Sequence, residues 1–529
     1  MSGGFRSRAK SGDKNNRDHK RDGKQGKKPW EGPKPKNNRR DHRDRRDDNG
    51  RPQRGRPGDR RARDSRNDAR GQRSNRAGGF VAAARKAGVD VPRAVAYSVI
   101  RRVHSDDAFA NLTLPKALRE QKLQGRDAAF ATEITYGALR TEGVLDAVID
   151  KCASRPLVDI SPEVLDALRL GVYQVLYTRV EPHAAVDTTV RLVEAAGQEK
   201  AKGFSNGIMR SVTRTSAEKW FADLAPDDEL AALAFRHAHP EWIARSFAEV
   251  LGPEELEDAL EADSQRPIVH LVARPGEISA EELALITGFK EGKYSPYAVY
   301  MDHGDPADIE PIKQGLAGVQ DEGSQLIARA VAEADVDGTD TGRWLDLCAG
   351  PGGKAALLGS LARIDRATVD AVEVSKHRAE LIDKAVRDLP VTVHVADGRK
   401  PGLDAGFDRI LVDAPCSGLG ALRRRPEARW RKSESDIAEL TTLQFELLNS
   451  AVDLVRPGGV VVYSTCSPDL RETRGIVDRA LEELNVEEMD AHALISDMRD
   501  VGSEKSVQMW PHRHGTDAMF FAVLRKPAV

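Results

Sequence analysis

The second half of the chain alternates between short apolar strands and helical stretches, and no other feature constrains the fold as strongly. Five runs from residue 342 onward have the length and the β-branched or apolar composition of strands, namely 344–348, 368–374, 391–396, 407–412 and 460–464. Helical stretches separate them. This alternation predicts a parallel sheet with helices on both faces, an α/β Rossmann-like architecture, whose ligands bind beyond the carboxyl ends of the strands.

A glycine-rich turn joins the first of these strands to the next helix. Glycine lets the backbone approach a ligand closely, and the helix N-terminus that follows favours an anion. The turn is neither a P-loop nor a strict dinucleotide fingerprint, so it is weak support when taken alone. The residues predicted to contact a ligand are Cys348, Ala349, Gly350, Pro351, Gly352, Gly353 and Lys354.

Acidic residues end the next three strands. Glu373 lies about twenty residues beyond the glycine turn, where an acid commonly accepts hydrogen bonds from ribose hydroxyls. Asp397 and Asp413 end the third and fourth strands. Each acid alone could be a solvated helix cap, but the three together predict the lining of a site for a nucleoside-bearing cofactor.

Two of the four cysteines follow strands at the same sheet edge. Cys416 follows the fourth strand and Cys466 the fifth. A thiolate can add to an electron-poor carbon of a pyrimidine and so activate the neighbouring carbon, a scheme that needs a nucleophile, a donor to the ring and help with release. Cys466, Asp413 and Cys416 can fill these roles in that order. Either cysteine alone could equally be an ordinary buried residue.

Charge is segregated along the chain. Residues 1–80 hold 27 Lys and Arg against 11 Asp and Glu, whereas the remainder holds 54 against 72. The basic stretch has almost no apolar residues, so we expect a disordered arm over 1–88 that contacts a polyanion or serves only as a solubilising tail. Without an apolar signal segment, a bilayer-length apolar run or paired cysteine spacing, the chain is expected to be cytoplasmic and to have no membrane association.

The middle of the chain divides into two further predicted parts. Apolar residues at helical spacing, such as Leu168 and Val172 after the Ser161-Pro162 helix start, indicate an all-α bundle over residues 89–220. A mixed pattern punctuated by prolines predicts a small α+β segment over 235–330. The α/β domain then extends over 331–527.

The chain resembles the Sun/Fmu (RsmB) family of 16S ribosomal RNA cytosine-C5 methyltransferases from about residue 92 to 527. The resemblance rests on residues 348–354, 413–418 and 464–467, and on residues 133–140, 168–174 and 203–210, which are similar to the RNA-binding NusB-type domain. Glu373 stands where the family commonly has Asp, and Gly350 stands where it usually has Ala. The basic arm is not part of the family pattern.

The resemblance implies a class I methyltransferase with S-adenosylmethionine as methyl donor and no metal. It implies that residues 348–354, Glu373, Asp397 and Asp413 surround the donor, that Cys466 is the nucleophile and that Cys416 assists release. The implied substrate is a cytidine of 16S ribosomal RNA, either as free RNA or within ribosomal assembly intermediates, and no obligate protein partner is evident.

Other functions stay open at this level. The substrate could be another RNA such as tRNA. In a DNA cytosine methyltransferase, Cys416 would be the nucleophile, although the helical RNA-binding half disfavours this alternative. The chain could also be a NusB-like RNA-binding or ribosome-assembly factor whose catalytic half is inert, although both cysteines and the full loop are present.

Overall fold

A computed structural model describes residues 79–528. The predicted basic arm lies outside the described residues as far as position 78. Residues 79–86 form a helix (α1) whose Val81 and Ala84 are buried in the hydrophobic core. This helix lies within residues 1–88, which composition assigned to the arm, and its apolar residues pack against the bundle.

Helices make up the part that follows, as the sequence predicts. Asp90 caps the second helix through its carboxylate, which accepts from the backbone N–H of Arg93 at 3.1 Å. Leu168 and Val172 are fully buried, in agreement with the predicted apolar stripe. After α1 the helices are α2 (Val91–Asp106), α3 (Ala110–Glu120), α4 (Gly125–Arg140), α5 (Glu142–Cys152), α6 (Pro162–Tyr177), α7 (Pro182–Ala195), α8 (Lys202–Val212) and α9 (Ala217–Leu224).

A cluster of charged side chains ties α2, α5 and α6 together inside this bundle. Asp166 is almost completely buried and accepts from His104 at 2.7 Å and from Arg101 at 2.5 Å. His104 also contacts Glu142 at 3.1 Å. Burial opposes protonation of His104, but the hydrogen bonds to Asp166 and Glu142 outweigh it and raise its pKa to about 9.

The bridging segment is mixed, as predicted. It contains a small antiparallel sheet in the order β2-β3-β1-β4. Its elements are α10 (Glu229–Arg236), α11 (Glu241–Leu251), α12 (Pro253–Ser264), β1 (Val269–Ala273), α13 (Ala280–Thr287), β2 (Lys290–Glu291), β3 (Ala298–Met301), α14 (Glu310–Lys313), β4 (Ala317–Val319) and α15 (Glu322–Glu333).

The α/β part has one twisted sheet in the order β10-β12-β9-β8-β5-β6-β7, and β11 pairs with β12. The five predicted strands are present and pair in parallel, while β12 runs antiparallel to β9 and β10. The elements are β5 (Arg343–Asp346), α16 (Gly353–Asp365), β6 (Thr368–Val372), α17 (Lys376–Ala385), β7 (Val391–His394), β8 (Phe407–Asp413), α18 (Ala428–Arg431), α19 (Ser435–Leu454), β9 (Val455–Thr465), α20 (Arg474–Glu483), β10 (Glu487–Met489), β11 (Val507–Gln508), α21 (Pro511–His514) and β12 (Phe520–Arg525).

The strand order creates a switch point beside β5. Strands β6 and β7 extend the sheet on one side of β5, while β8 and β9 extend it on the other. Connections that leave β5 and β8 in opposite directions open a crevice at the carboxyl ends of the strands. The glycine turn, the strand-end acids and both cysteines follow these strands.

Candidate active site

The two cysteine sulfurs are in contact. Cys416 Sγ and Cys466 Sγ lie 3.3 Å apart, on the segments that follow β8 and β9. The hydrogen bond with Cys416 lowers the pKa of Cys466, and the positive charges of Lys354 and Arg425 act in the same direction against burial and Asp413. The same hydrogen bond, followed by burial, raises the pKa of Cys416. The arrangement therefore favours a Cys466 thiolate that accepts from a Cys416 thiol.

Lys354 and Asp413 form a half-buried ion pair whose charges both act on Cys466. Lys354 Nζ donates to Asp413 Oδ2 at 2.8 Å, and the hydroxyl of Ser464 donates to Asp413 Oδ1 at 3.0 Å. Burial lowers the pKa of Lys354, but the Asp413 carboxylate outweighs it, so the ammonium form is stabilised. Both carboxylate oxygens of Asp413 thus accept hydrogen bonds, and the nearest proton for transfer is on Lys354.

A second carboxylate, that of Asp346, lies at the end of β5. Its side chain is fully buried, and neither carboxylate oxygen has a hydrogen-bond partner in the described structure. Burial, and then the negative charge of Asp413, raise the pKa of Asp346 to about 7. A buried carboxylate without an ion-pair partner is uncommon, so this strand end is a candidate functional position. The sequence prediction did not include it, although it ends a strand as Asp413 does.

A buried network behind the thiols holds the two cysteine segments together. Glu472 Oε1 accepts from the backbone N–H of Ser417 at 2.8 Å and from Gln444 Nε2 at 3.0 Å, and Glu472 Oε2 accepts from the Ser417 hydroxyl. Ser417 also donates to the hydroxyl of Ser467 at 3.1 Å. Because Ser417 and Ser467 directly follow the two cysteines, this network fixes the spacing between the sulfurs.

The glycine turn lies against Glu373. Glu373 is buried and its Oε1 accepts from the backbone N–H of Ser375 at 2.8 Å, while Oε2 lies 3.4 Å from Arg378. A Cβ added at Gly350 would lie well within 3.0 Å of Glu373 Oε2. Gly352 has φ of +111° and precedes α16. The turn and the buried acid thus form a cradle, defined here as residues 348–354 with Glu373. The two can approach this closely only because Gly350 has no side chain.

The predicted cofactor acids differ in their surroundings. Asp397 lies three residues beyond β7, is exposed and forms an ion pair with Arg399 at 2.7 Å. That pairing lowers the pKa of Asp397, so its carboxylate is ionised. Glu373 and Asp413 are held by hydrogen bonds to neighbouring residues, whereas Asp397 is exposed at the rim of the same sheet edge.

Residues 79–528 contain neither a metal-site cluster nor a membrane-length helix. Within this range, no group of three or more His, Cys, Asp or Glu side chains has the arrangement of a metal site. None of the helices in the described range is long and apolar enough to cross a bilayer.

Comparison with protein families matches both halves of the chain. Residues 335–525 match the family described as 16S rRNA methyltransferase RsmB/F, and residues 90–214 match the NusB family. The chain is 33% identical over 394 residues to the ribosomal RNA small subunit methyltransferase B of Klebsiella pneumoniae, covering 87% of that protein and 72% of this one. The chain belongs to the RsmB/F methyltransferase family. Members are S-adenosylmethionine-dependent RNA methyltransferases, so the predicted enzyme class and fold class are confirmed.

Other similar proteins agree with this assignment. This RsmB/F-family chain is 53% identical over 448 residues to a protein of Mycobacterium tuberculosis that is named as a methyltransferase with no stated substrate, covering 98% of that protein and 84% of this one. The crystal structure of PH0851 has the same fold at a TM-score of 0.70 and 23% identity, covering 82% of this chain and 99% of that one.

The structure brings most of the predicted residues of this RsmB/F-family chain to one sheet edge. Cys416, Cys466, Asp413 and Lys354 form a contiguous group, and Glu373 contacts the glycine turn. Sequence reasoning missed Glu472, which stands in a stretch of charged residues with the appearance of a solvated surface.

Proposed function

We propose that this chain transfers a methyl group from S-adenosylmethionine to C5 of a cytidine in 16S ribosomal RNA through a covalent cysteine–pyrimidine adduct. The observation that carries the proposal is the 3.3 Å contact between Cys416 and Cys466, together with the Lys354–Asp413 pair. The 16S substrate is supported by the names of relatives such as the Klebsiella pneumoniae protein.

Cys466 acts as the nucleophile. Its thiolate adds to C6 of the cytosine, and the electron pair of the C5–C6 double bond shifts into the ring, where N3 takes a proton. Lys354 supplies this proton through Asp413, whose carboxylate is already hydrogen-bonded to the ammonium at 2.8 Å. This relay gives Asp413 the donor role that the sequence assigned to it, without requiring Asp413 to be protonated at rest.

The bound cofactor supplies an electrophilic methyl group on a sulfonium, which C5 of the adduct accepts. The chain fits that group because the cradle at Gly350 has no Cβ and the buried Glu373 is placed to accept from ribose hydroxyls. Residues 348–354 provide backbone contacts, Asp397 contributes at the rim and Asp413 closes the side nearest the cysteines.

Cys416 assists release. The proton on C5 passes to water, the S–C6 bond breaks with its electron pair on Cys466, and N3 returns its proton to the Lys354–Asp413 pair. The Cys416 thiol donates to the departing sulfur, which stabilises Cys466 as a thiolate. The net products are C5-methylcytidine, S-adenosylhomocysteine and one proton, and the enzyme returns to its starting state.

The helical half binds the RNA in this proposal. Its match to the NusB family over residues 90–214 supports this role. The target cytosine must leave its stack to reach both thiols, as in other enzymes that act on a base. The substrate could be naked RNA or a ribosomal assembly intermediate, and the proposal needs no obligate protein partner.

Two cysteine variants test the proposal on 16S ribosomal RNA with radiolabelled S-adenosylmethionine. Cys466→Ala is expected to abolish methyl transfer, while Cys416→Ala is expected to accumulate a covalent protein–RNA species that survives denaturing electrophoresis. Cys152→Ala, far along the chain in α5, is the matched control with full activity. If Cys466→Ala still transferred methyl groups and itself accumulated a covalent protein–RNA species, Cys416 would instead be the nucleophile.

Bisulfite sequencing of ribosomal RNA, with and without the gene, identifies the product. A cytidine that resists conversion only in the presence of the gene is expected in 16S RNA. If the protected cytidine lies in tRNA, or if none is protected in any RNA, the assigned substrate or the assigned chemistry is wrong.

A further inference from the structure

The segment that follows Cys416 connects the catalytic half to the helical half. Trp430 Nε1 donates to the carbonyls of Leu139 at 3.0 Å and Arg140 at 3.1 Å, at the end of α4. A Cβ at Gly143 would collide with the Trp430 ring, so the indole fills a socket on α5. Glu427 Oε1 accepts from the backbone N–H of Ala110 at 3.0 Å. Residues 423–431 are therefore fixed against both halves.

This segment contains five arginines, and four of them have protein partners. Arg423 and Arg424 each donate to Asp517 at 2.8 Å. Arg429 pairs with Asp263 at 3.1 Å. Arg431 donates to the carbonyl of Ala108 at 3.1 Å. These four side chains serve the packing of the interface.

Arg425 differs from the other four. Its side chain is exposed, and it makes no ion pair and no side-chain hydrogen bond with any residue in 79–528. The guanidinium instead lies over the ring of Phe109, 5.4 Å from the centroid. Phe109 precedes α3 in the helical half and is itself 44% exposed. A guanidinium held by an aromatic face and free of carboxylates keeps its donors available for an external anion.

The position of Arg425 is close to the reaction centre. The turn that leads into this segment contacts the Cys466 loop, because the backbone N–H of Gly420 donates to the carbonyl of Cys466 at 2.9 Å. The backbone N–H of Arg425 in turn donates to the carbonyl of Ala421, the next residue of that turn, at 3.1 Å. When a base enters a pocket from a single strand, its phosphates stay outside at the mouth of the pocket. A free cation beside that mouth faces the phosphates nearest the reacting nucleotide, and Arg is well matched to phosphate oxygens.

We propose that Arg425, held over Phe109, binds an RNA phosphate adjacent to the target cytidine and thereby positions that nucleotide for Cys466. This inference rests on the proposed function, because it assumes that RNA enters the cysteine site. We call this pair of Arg425 and Phe109 the clamp, and it consists of one residue from each half of the chain. The helical half would therefore contribute directly to the geometry at the catalytic centre as well as to overall RNA affinity.

Arg425→Gln tests the clamp against Arg387→Gln, which removes another exposed arginine without an ion pair in the described structure, beyond α17. Binding of full-length 16S ribosomal RNA is measured by filter retention between 50 and 200 mM salt, together with single-turnover methyl transfer. Arg425→Gln is expected to weaken binding about 5- to 50-fold and to reduce the slope of log K against log salt by about 0.7, the share of one phosphate. Arg387→Gln is expected to change neither quantity.

Two more measurements separate a phosphate contact from a structural effect. Arg425→Lys keeps the charge and is expected to restore most of the salt slope, and Phe109→Leu is expected to weaken binding with the slope unchanged. S-adenosylmethionine affinity and melting temperature should stay at wild-type values in Arg425→Gln. An unchanged salt slope in Arg425→Gln would overturn the clamp. Cys466→Ala tests the chemistry separately. If only the clamp is wrong, Arg425→Gln keeps the wild-type salt slope while Cys466→Ala still abolishes methyl transfer. If the mechanism is wrong, Cys466→Ala keeps methyl transfer.

Discussion

Gly350 and Glu373 provide the sharpest test of the cofactor cradle, because the Glu373 carboxylate occupies the space where a side chain at position 350 would lie. A methyl group at position 350 would lie well within 3.0 Å of Glu373 Oε2 and of Arg378 Nε. In Gly350→Ala the buried carboxylate must therefore move, and its 2.8 Å hydrogen bond from the Ser375 N–H is the contact at risk. The chain departs from the pattern it resembles at both positions, with Gly for Ala and Glu for Asp.

The expected cost of Gly350→Ala follows from what Glu373 holds. A hydrogen bond to a charged group contributes about 1.5–3 kcal/mol, so loss of the proposed ribose contact should weaken S-adenosylmethionine binding about 10- to 150-fold. The ion pair with Arg378 adds little, because that side chain is half exposed. Shortening Glu373 to Asp withdraws the carboxylate by one carbon–carbon bond, about 1.5 Å, and removes the collision.

The assay is a double-mutant cycle with S-adenosylmethionine affinity measured by titration calorimetry. Gly350→Ala alone is expected to bind weakly, whereas Gly350→Ala with Glu373→Asp is expected to recover to within a few-fold of the wild type. The coupling energy should be about 1–2 kcal/mol, within the range for residues in contact. Additive effects, or a Gly350→Ala variant that binds normally, would refute the steric reasoning.

Three further predictions concern stability. Burial and Asp413 raise the pKa of Asp346 to about 7, so its ionisation costs stability as pH rises from about 4 to 7. Urea unfolding should therefore show Asp346→Asn gaining about 2–3 kcal/mol relative to the wild type between pH 5 and 8. Gly137→Ala forces a methyl group into the ring of Tyr173 and should destabilise the bundle by about 1–3 kcal/mol, whereas Gly207→Ala meets open space and should not, as thermal melting would show. The raised pKa of His104, about 9, implies roughly 3 kcal/mol of stability that is present below pH 6.5 and lost as pH rises through 9, so a wild-type melting temperature as flat as that of His104→Gln across this range would disprove the assignment.

The sequence was informative where each residue's role follows from its neighbours in the chain. A continuous apolar run predicts a buried parallel strand, and the residue after such a strand lies at the ligand edge, so Glu373, Asp413, Cys416 and Cys466 could be placed before the structure. The burial of Val81 and Ala84, inside the predicted arm, could not be read from composition because both residues gain it from helices distant in sequence.

Features that depend on distant partners could not be predicted. Arg423, Arg424 and Arg425 are consecutive and chemically identical, and only the fold shows that two are paired and one is free. Glu472 lies among charged neighbours, yet it is buried because it must accept from Ser417, fifty-five positions earlier. The pairing of an arginine or the burial of a glutamate depends on residues that are close in space but distant in sequence, and the neighbouring residues in the chain do not reveal them.

The pairing of β9, the strand that precedes Cys466, determines when during synthesis the catalytic half can be completed. β9 is paired on one side with β8 and on the other with β12, which ends at Arg525. Because β12 is inserted between β9 and β10, β9 stays an unprotected sheet edge until the ribosome has polymerised the chain beyond residue 520. A nascent chain can thus fold its helical half early while its catalytic strand is incomplete. Interrupted translation would therefore yield fragments in which the strand before Cys466 is an exposed sheet edge.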